Sequence, residues 1–183
     1  TGFSPLVFQA RDWDHGVLVG AAMASETTAA ATGDVGVVRR DPMAMKPFAG
    51  YNFGDYWRHW FKIGERVPRL PGIFQVNWFR RDAAGKFLWP GYGENLRVLA
   101  WIIDRCKGTA QGVETPIGIV PETGAIDLTG LHLPANTMQE LLAVDRAAWR
   151  QEIAAVEKYF EEFGTRLPEQ LRREIRSLET RLS

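Results

Sequence analysis

The sequence predicts a mixed α+β fold, with short strands followed by packed C-terminal helices and no regular βαβ alternation. Three observations predict it. Short apolar runs bounded by turn residues recur through the first two thirds of the chain. Two stretches among them, about 53–64 and 95–107, repeat their apolar residues at helical spacing. The region from about 137 to 183 then carries helical stripes with Gly164 and Pro168 between them.

Taken in order, "PLVFQA" reads as a strand over Leu6 to Ala10, followed by a turn at Asp12 to Gly16 and a second strand over Val17 to Met23. "SETTAAATGDVG", residues 25 to 36, has neither periodicity and is long enough to be a functional loop. The Pro- and Gly-rich run that follows is expected to be irregular up to Asn52, which caps a helix to about Gly64. Phe53, Trp57, Trp60 and Phe61 form its stripe. After a connector at Pro68 to Gly72, "IFQVNWF" alternates as a strand, and "RDAAGK" and Pro90-Gly91 are turns. A helix starts at Glu94 or Asn95 with Leu96, Leu99, Ile102, Ile103 and Cys106 as its buried stripe, and Gly108 ends it. "TPIGIV" and "AIDL" are short strands. Asp145 caps a helix with Trp149, Ile153, Val156, Phe160 and Phe163 inward. Pro168 starts the last helix, on Leu171, Ile175, Leu178 and Leu182.

Composition narrows the function. Basic and acidic residues number 22 each, so the chain has no net charge to neutralise nucleic-acid phosphates or to seek an anionic membrane. A local pocket for one phosphorylated small molecule stays open. Cys106 is the single cysteine, which rules out an intrachain disulfide and fits a reducing cytoplasm; its place on the helical stripe predicts an inert core thiol. No apolar run is long enough to span a bilayer. A strand so close to Thr1 is expected to need pairing partners, as in a piece of a longer chain.

Local motifs carry little chemistry. His15, His59 and His132 share no metal-ligand spacing with one another or with Cys106. No phosphate loop, dinucleotide fingerprint or nucleophile elbow is present. Asp12/Asp14 and Glu161/Glu162 read as solvated faces. The exception is residues 77–95, "NWFRRDAAGKFLWPGYGEN", with Trp78, Phe79, Phe87, Trp89 and Tyr92 gathered around turns. Such rings can form a slot for a flat base or pair across a hairpin for stability alone. Asn95 can read a base edge or simply cap its helix. Spacing leaves both pairs of readings open.

Three runs add a resemblance: "RDPMAMKPFAGYNFG" (40–54), "VNWFRRDAAGKFLWPGYGENLRVLAW" (76–101) and "TPIGIVP" (115–121). They resemble the C-terminal part of GTP-dependent phosphoenolpyruvate carboxykinase, and the similarity extends from Pro5 to Ser183. The resemblance implies the C-terminal segment of a nucleotide-binding domain, with a lid loop at about 25–36, a guanine pocket at about 77–95 and scaffold helices at about 137–183. The complete enzyme would interconvert oxaloacetate plus GTP with phosphoenolpyruvate, GDP and CO2, using Mn2+ or Mg2+, as a cytoplasmic monomer.

In such an enzyme Phe79, Phe87 and Tyr92 would enclose guanine, with Trp78 adjoining and Trp89 packed behind. Gly93, Glu94 and Asn95 would contact the nucleotide. An Asn95 amide reading the exocyclic amine would set a preference for GTP over ITP. Ser25, Glu26, Thr27, Thr28, Ala29, Ala30 and Ala31 match the lid, whose tip departs from the family in having Gly33 and Asp34 in place of a His followed by Lys. Tyr92 stands where relatives often have Phe. The family's phosphate loop, metal ligands and substrate arginines precede this region. No catalytic residue or metal ligand is therefore expected here, and the N-terminal portion is an expected partner. Two other readings are the ATP-dependent carboxykinase class and a non-catalytic aromatic module binding RNA bases or a protein. The aromatic run counts against the first and zero net charge against RNA.

Overall fold

The structure is a computed structural model that describes residues 2–26 and 38–183. In chain order its elements are β1 (Val7–Gln9), α1 (Trp13–Ala21), β2 (Ala24–Glu26), β3 (Val38–Arg40), α2 (Phe53–Arg66), β4 (Phe74–Val76), α3 (Asn95–Lys107), β5 (Gly112–Thr115), β6 (Gly118–Pro121), α4 (Thr137–Leu142), α5 (Arg146–Phe160) and α6 (Glu169–Leu182). Short 3-10 segments lie at Pro42–Ala44, Tyr92–Glu94 and Glu161–Arg166, the last kinked at Gly164. This is the α+β class the sequence predicts. The chain divides into two compact units, Thr1–Arg11 with Gly72–Ala148 and Asp12–Pro71 with Trp149–Ser183.

The first unit is built on an antiparallel sheet of order β4-β1-β6-β5. Val7 pairs with Val76 and Gln9 with both Phe74 and Ile119, so β1 is interior to the sheet. Leu6 and Val7 are accordingly fully buried, in a core completed by Trp89, Val98, Trp101, Ile126 and Leu141. The predicted strand "TPIGIV" is instead a hairpin, turning at Pro116 and Ile117 between Thr115 and Gly118. Gly118 holds φ +134, and a Cβ there would meet the Gln9 carbonyl oxygen at 2.5 Å, so the turn and the close approach both require glycine. "AIDL" is not a strand. Its Asp127 side chain accepts from Thr129 N, and the Asp127 and Thr129 carbonyls receive the Arg97 guanidinium, leaving no ladder to join.

α3 ends at Gly108 in the left-handed conformation, as expected. Its buried face differs from the expected one. Val98 and Trp101 point inward with Ile102 beside them, whereas Leu96, Leu99, Ile103 and Cys106 are exposed. Both faces of the helix are apolar, so periodicity does not choose between them. Packing decides: Trp101 meets Phe74 edge-on at 6.1 Å and donates its indole N–H to Gln111 O. The expected core thiol, Cys106, is thus a surface thiol.

The second unit is mostly helical. Residues 13–21, read from sequence as a turn and a strand, form α1. Asp12 caps it by accepting from His15 N at 2.8 Å, and its apolar run is too short for periodicity to separate strand from helix. Asn52 caps α2 as expected, accepting from Gly54 N at 2.8 Å. Trp57 and Phe61 are buried, and Trp57 lies 5.3 Å from Phe160 and 4.7 Å from Phe163. α5 begins within the first unit, where Asp145 accepts from Ala147 N and Ala148 N; in the second unit Leu171, Ile175, Leu178 and Leu182 are the buried stripe of α6. β2 pairs with β3 through Ala24↔Arg40, Ser25↔Arg39 and Glu26↔Val38. Of the expected lid, Ser25 and Glu26 thus belong to a strand, while Thr27, Thr28, Ala29, Ala30, Ala31, Gly33 and Asp34 lie outside the described residues. No helix among the described residues is long and apolar enough to cross a membrane.

Candidate functional site

The aromatic run lies wholly in the first unit, and its shape begins with a turn. Asp82 Oδ1 accepts from Ala84 N and Lys86 N, both at 2.9 Å, and Gly85 takes φ +82. This closes a hairpin in which Arg81 pairs with Phe87. Alternation along a strand puts Phe79 and Arg81 on one side, the side Phe87 faces. Phe79 and Phe87 meet edge to face with centroids 6.0 Å apart, and the Arg81 guanidinium covers the Phe87 ring at 4.0 Å. Arg81 is held there by donating to Gly85 O at 2.7 Å.

Despite these contacts the rings stay open. Phe79 is 67% exposed, Phe87 44% and Tyr92 92%. Trp89 contrasts at 2%, tilted against half-buried Trp78 at 6.3 Å. The hairpin rings and the indoles therefore do different jobs: the indoles pack, and the phenyl rings face water. Asn77, itself buried, anchors the base of the hairpin. Its Nδ2 donates to Ser4 O at 2.8 Å, and its Oδ1 accepts from Phe79 N at 3.1 Å.

Past Pro90, Gly91 turns the chain at φ +119 into the 3-10 turn that leads to α3. Asn95 does not cap that helix, because it is already the first helical residue. Its Oδ1 instead accepts from the Trp89 indole N–H at 2.9 Å. Glu94 pairs with Arg97 at 2.5 Å, and Gly93 and Glu94 edge a 380 Å³ cavity that Arg97, Trp101 and Asp104 also line. Tyr92 touches no other ring among the described residues. The structure thus joins Phe79 with Phe87, Trp78 with Trp89, and Trp89 with Asn95.

Sequence reasoning missed Arg81, Asn77 and Arg97. Arg81 was detectable as the partner of Phe87 across the "DAAGK" turn. Asn77 and Arg97 act through contacts distant in sequence, which no local pattern records. Beside the hairpin, burial lowers the pKa of the Arg80 guanidinium, with Glu140 and Asp145 acting in the opposite sense. The group remains a cation at neutral pH and donates to Ala143 O at 2.9 Å. A larger cavity of about 880 Å³ lies elsewhere in this unit, lined by residues such as Val120, Ile126, Met138 and Leu142. It contains none of the site residues expected from sequence. No group of three or more His, Cys, Asp or Glu among the described residues is placed to hold a metal ion.

An exposed pair of aromatic rings suits a flat, π-faced ligand. The family described as "Phosphoenolpyruvate carboxykinase C-terminal P-loop domain" matches residues 2–181. Similar proteins include phosphoenolpyruvate carboxykinase (GTP) of Treponema pallidum (strain Nichols), 54% identical over 98% of this chain. Those of Arthrobacter sp. (strain FB24), 53% identical over 98%, and Thermoplasma volcanium, 50% identical over 97%, are similar too. The chain belongs to the GTP-dependent phosphoenolpyruvate carboxykinase family. It spans 30% of the length of each of these relatives, and no phosphate-loop motif occurs in its sequence.

Proposed function

We propose that this chain supplies the guanine-binding part of a GTP-dependent phosphoenolpyruvate carboxykinase. The observation that carries this reading is the division of labour in residues 77–95. Phe79 and Phe87 remain exposed and in contact, while Trp89 in the same run is buried. Rings that served only the core would be expected to bury.

In the complete enzyme, oxaloacetate loses CO2, the electrons of the broken C–C bond pass to the enolate oxygen, and that oxygen takes the γ-phosphoryl group of GTP. The products are phosphoenolpyruvate, GDP and CO2. The share of this chain is positioning. Phe79, Phe87 and Tyr92 hold the base by stacking, Trp78 adjoins them, and Gly93, Glu94 and Asn95 line the nucleotide's path. Fixing the base fixes the triphosphate in line with its acceptor, the main contribution a protein makes to phosphoryl transfer. Mn2+ or Mg2+ is assigned to residues outside this chain on family resemblance alone, as are the oxaloacetate contacts. Residues 25–36 are assigned the lid on family resemblance alone. The complete enzyme is read as a cytoplasmic monomer completed by an N-terminal portion.

The test is turnover by the complete protein. It should form phosphoenolpyruvate from oxaloacetate with GTP and far less with ATP, and Phe87→Ala and Tyr92→Ala should each raise the KM for GTP. No product with GTP, or an unchanged KM in both variants, overturns the reading.

A further inference from the structure

We propose that the buried Trp89 indole sets which end of the Asn95 amide faces the nucleotide, making Trp89 a positioning residue for recognition of a 6-oxopurine. The inference rests on the guanine-binding reading above and deepens it.

An indole N–H can only donate. The Asn95 atom 2.9 Å from Trp89 Nε1 is therefore the carbonyl oxygen, whichever way an amide might otherwise be turned. That contact is rigid on one side, because Trp89 is part of the core with Leu6, Val7, Val98, Trp101, Ile126 and Leu141. On the other side, Asn95 is half-buried at the start of α3, and no hydrogen bond among the described residues uses its Nδ2. The amide oxygen is thus turned toward the indole, which engages one of its lone pairs, and the NH2 end is left to face a ligand.

Chemistry then selects the base. An NH2 donor pairs with the O6 acceptor of guanine and opposes the N6 amino group of adenine, whereas N7 accepts in both bases and does not discriminate. Hypoxanthine carries the same O6. Oriented in this way, Asn95 discriminates GTP from ATP but not GTP from ITP. This departs from the expectation from sequence that its amide reads the exocyclic amine, and the GTP-to-ITP ratio separates the two. Trp89→Phe removes the N–H while keeping an aromatic ring in the core, so the amide becomes free to rotate and offer either end.

The experiment measures kcat/KM for GTP, ITP and ATP in the complete enzyme, for wild type, Trp89→Phe and Asn95→Ala. Loss of one oriented hydrogen bond should lower the GTP-to-ATP ratio by about 3- to 10-fold in Trp89→Phe, with the GTP-to-ITP ratio unchanged. A purely structural role would depress all three nucleotides together. If Asn95→Ala lowers the GTP-to-ATP ratio and Trp89→Phe does not, the positioning role is overturned while the guanine reading stands. If neither variant shifts the ratio and Phe79→Ala leaves GDP binding unchanged, the guanine reading itself falls. Should Trp89→Phe not fold, the 15N-labelled indole N–H of Trp89 reports instead. It should exchange slowly in wild type and faster in Asn95→Ala; equal exchange in the two overturns the proposal.

Discussion

Phe79→Ala separates binding from folding because of where the ring stands. Phe79 is 67% exposed, so about a third of its surface is removed from water. Full burial of such a side chain is worth about 1.5–3 kcal/mol, and a third of that is about 0.5–1 kcal/mol. The edge contact with Phe87 at 6.0 Å adds about 0.5 kcal/mol at such an open site. Folding should therefore lose only about 1–1.5 kcal/mol, a fall of a few degrees in Tm. Binding should lose more. One stacked base is worth about 1–3 kcal/mol, a factor of roughly 5 to 150 in Kd. Calorimetric titration of the complete enzyme with GDP, run beside a thermal melt, reads both quantities. A GDP Kd within about 2-fold of wild type, in a variant that melts normally, would refute the stacking argument. A melt lowered by much more than these few degrees would refute the reasoning from exposure.

Three further outcomes are expected. Gly64→Ala would put a methyl group 2.4 Å from Trp13 Cδ1, and Trp13 is held by its hydrogen bond to Trp60 O at 2.9 Å; overpacking of about 3 kcal/mol exceeds the roughly 1 kcal/mol that Ala gains over Gly in a helix, so Tm should fall, and a rise would count against a fixed indole. Burial first, and then the Glu162 carboxylate, push the Tyr159 phenol up to about 12. Because the folded pKa is the higher one, its contribution to stability is intact below the ordinary tyrosine range near 10 and is lost as pH rises from there through about 12; ultraviolet titration in native buffer and in denaturant would show whether the late-ionising phenol is absent from the folded chain. Deletion of Thr27 to Asp34 should abolish phosphoenolpyruvate formation in the complete enzyme while GDP still binds, and retained turnover would remove the lid assignment.

Much of this protein was legible from sequence, wherever the signal was local. Asn52 and Asp145 as caps, Gly108 as a left-handed stop, the "DAAGK" turn and the stripe of α6 all follow from residue type at fixed spacing. Those features depend on backbone hydrogen bonds and φ values within a few residues, so sequence contains what is needed. The resemblance carried by residues 40–54 and 76–101 likewise led to the family. Tertiary packing alone decided the rest. It chose α-helix over strand for residues 13–21, because a short apolar run satisfies either period until neighbours bury it. It chose the Val98–Trp101 face of α3 over the equally apolar face of Leu99 and Ile103, because the core fits Trp101 against Phe74. In residues 77–95 it buried Trp89 and left Phe79, Phe87 and Tyr92 in water. The same packing turned Asn95 from a possible helix cap into an amide held by an indole, through a hydrogen bond that exists only after the chain has folded around Trp89.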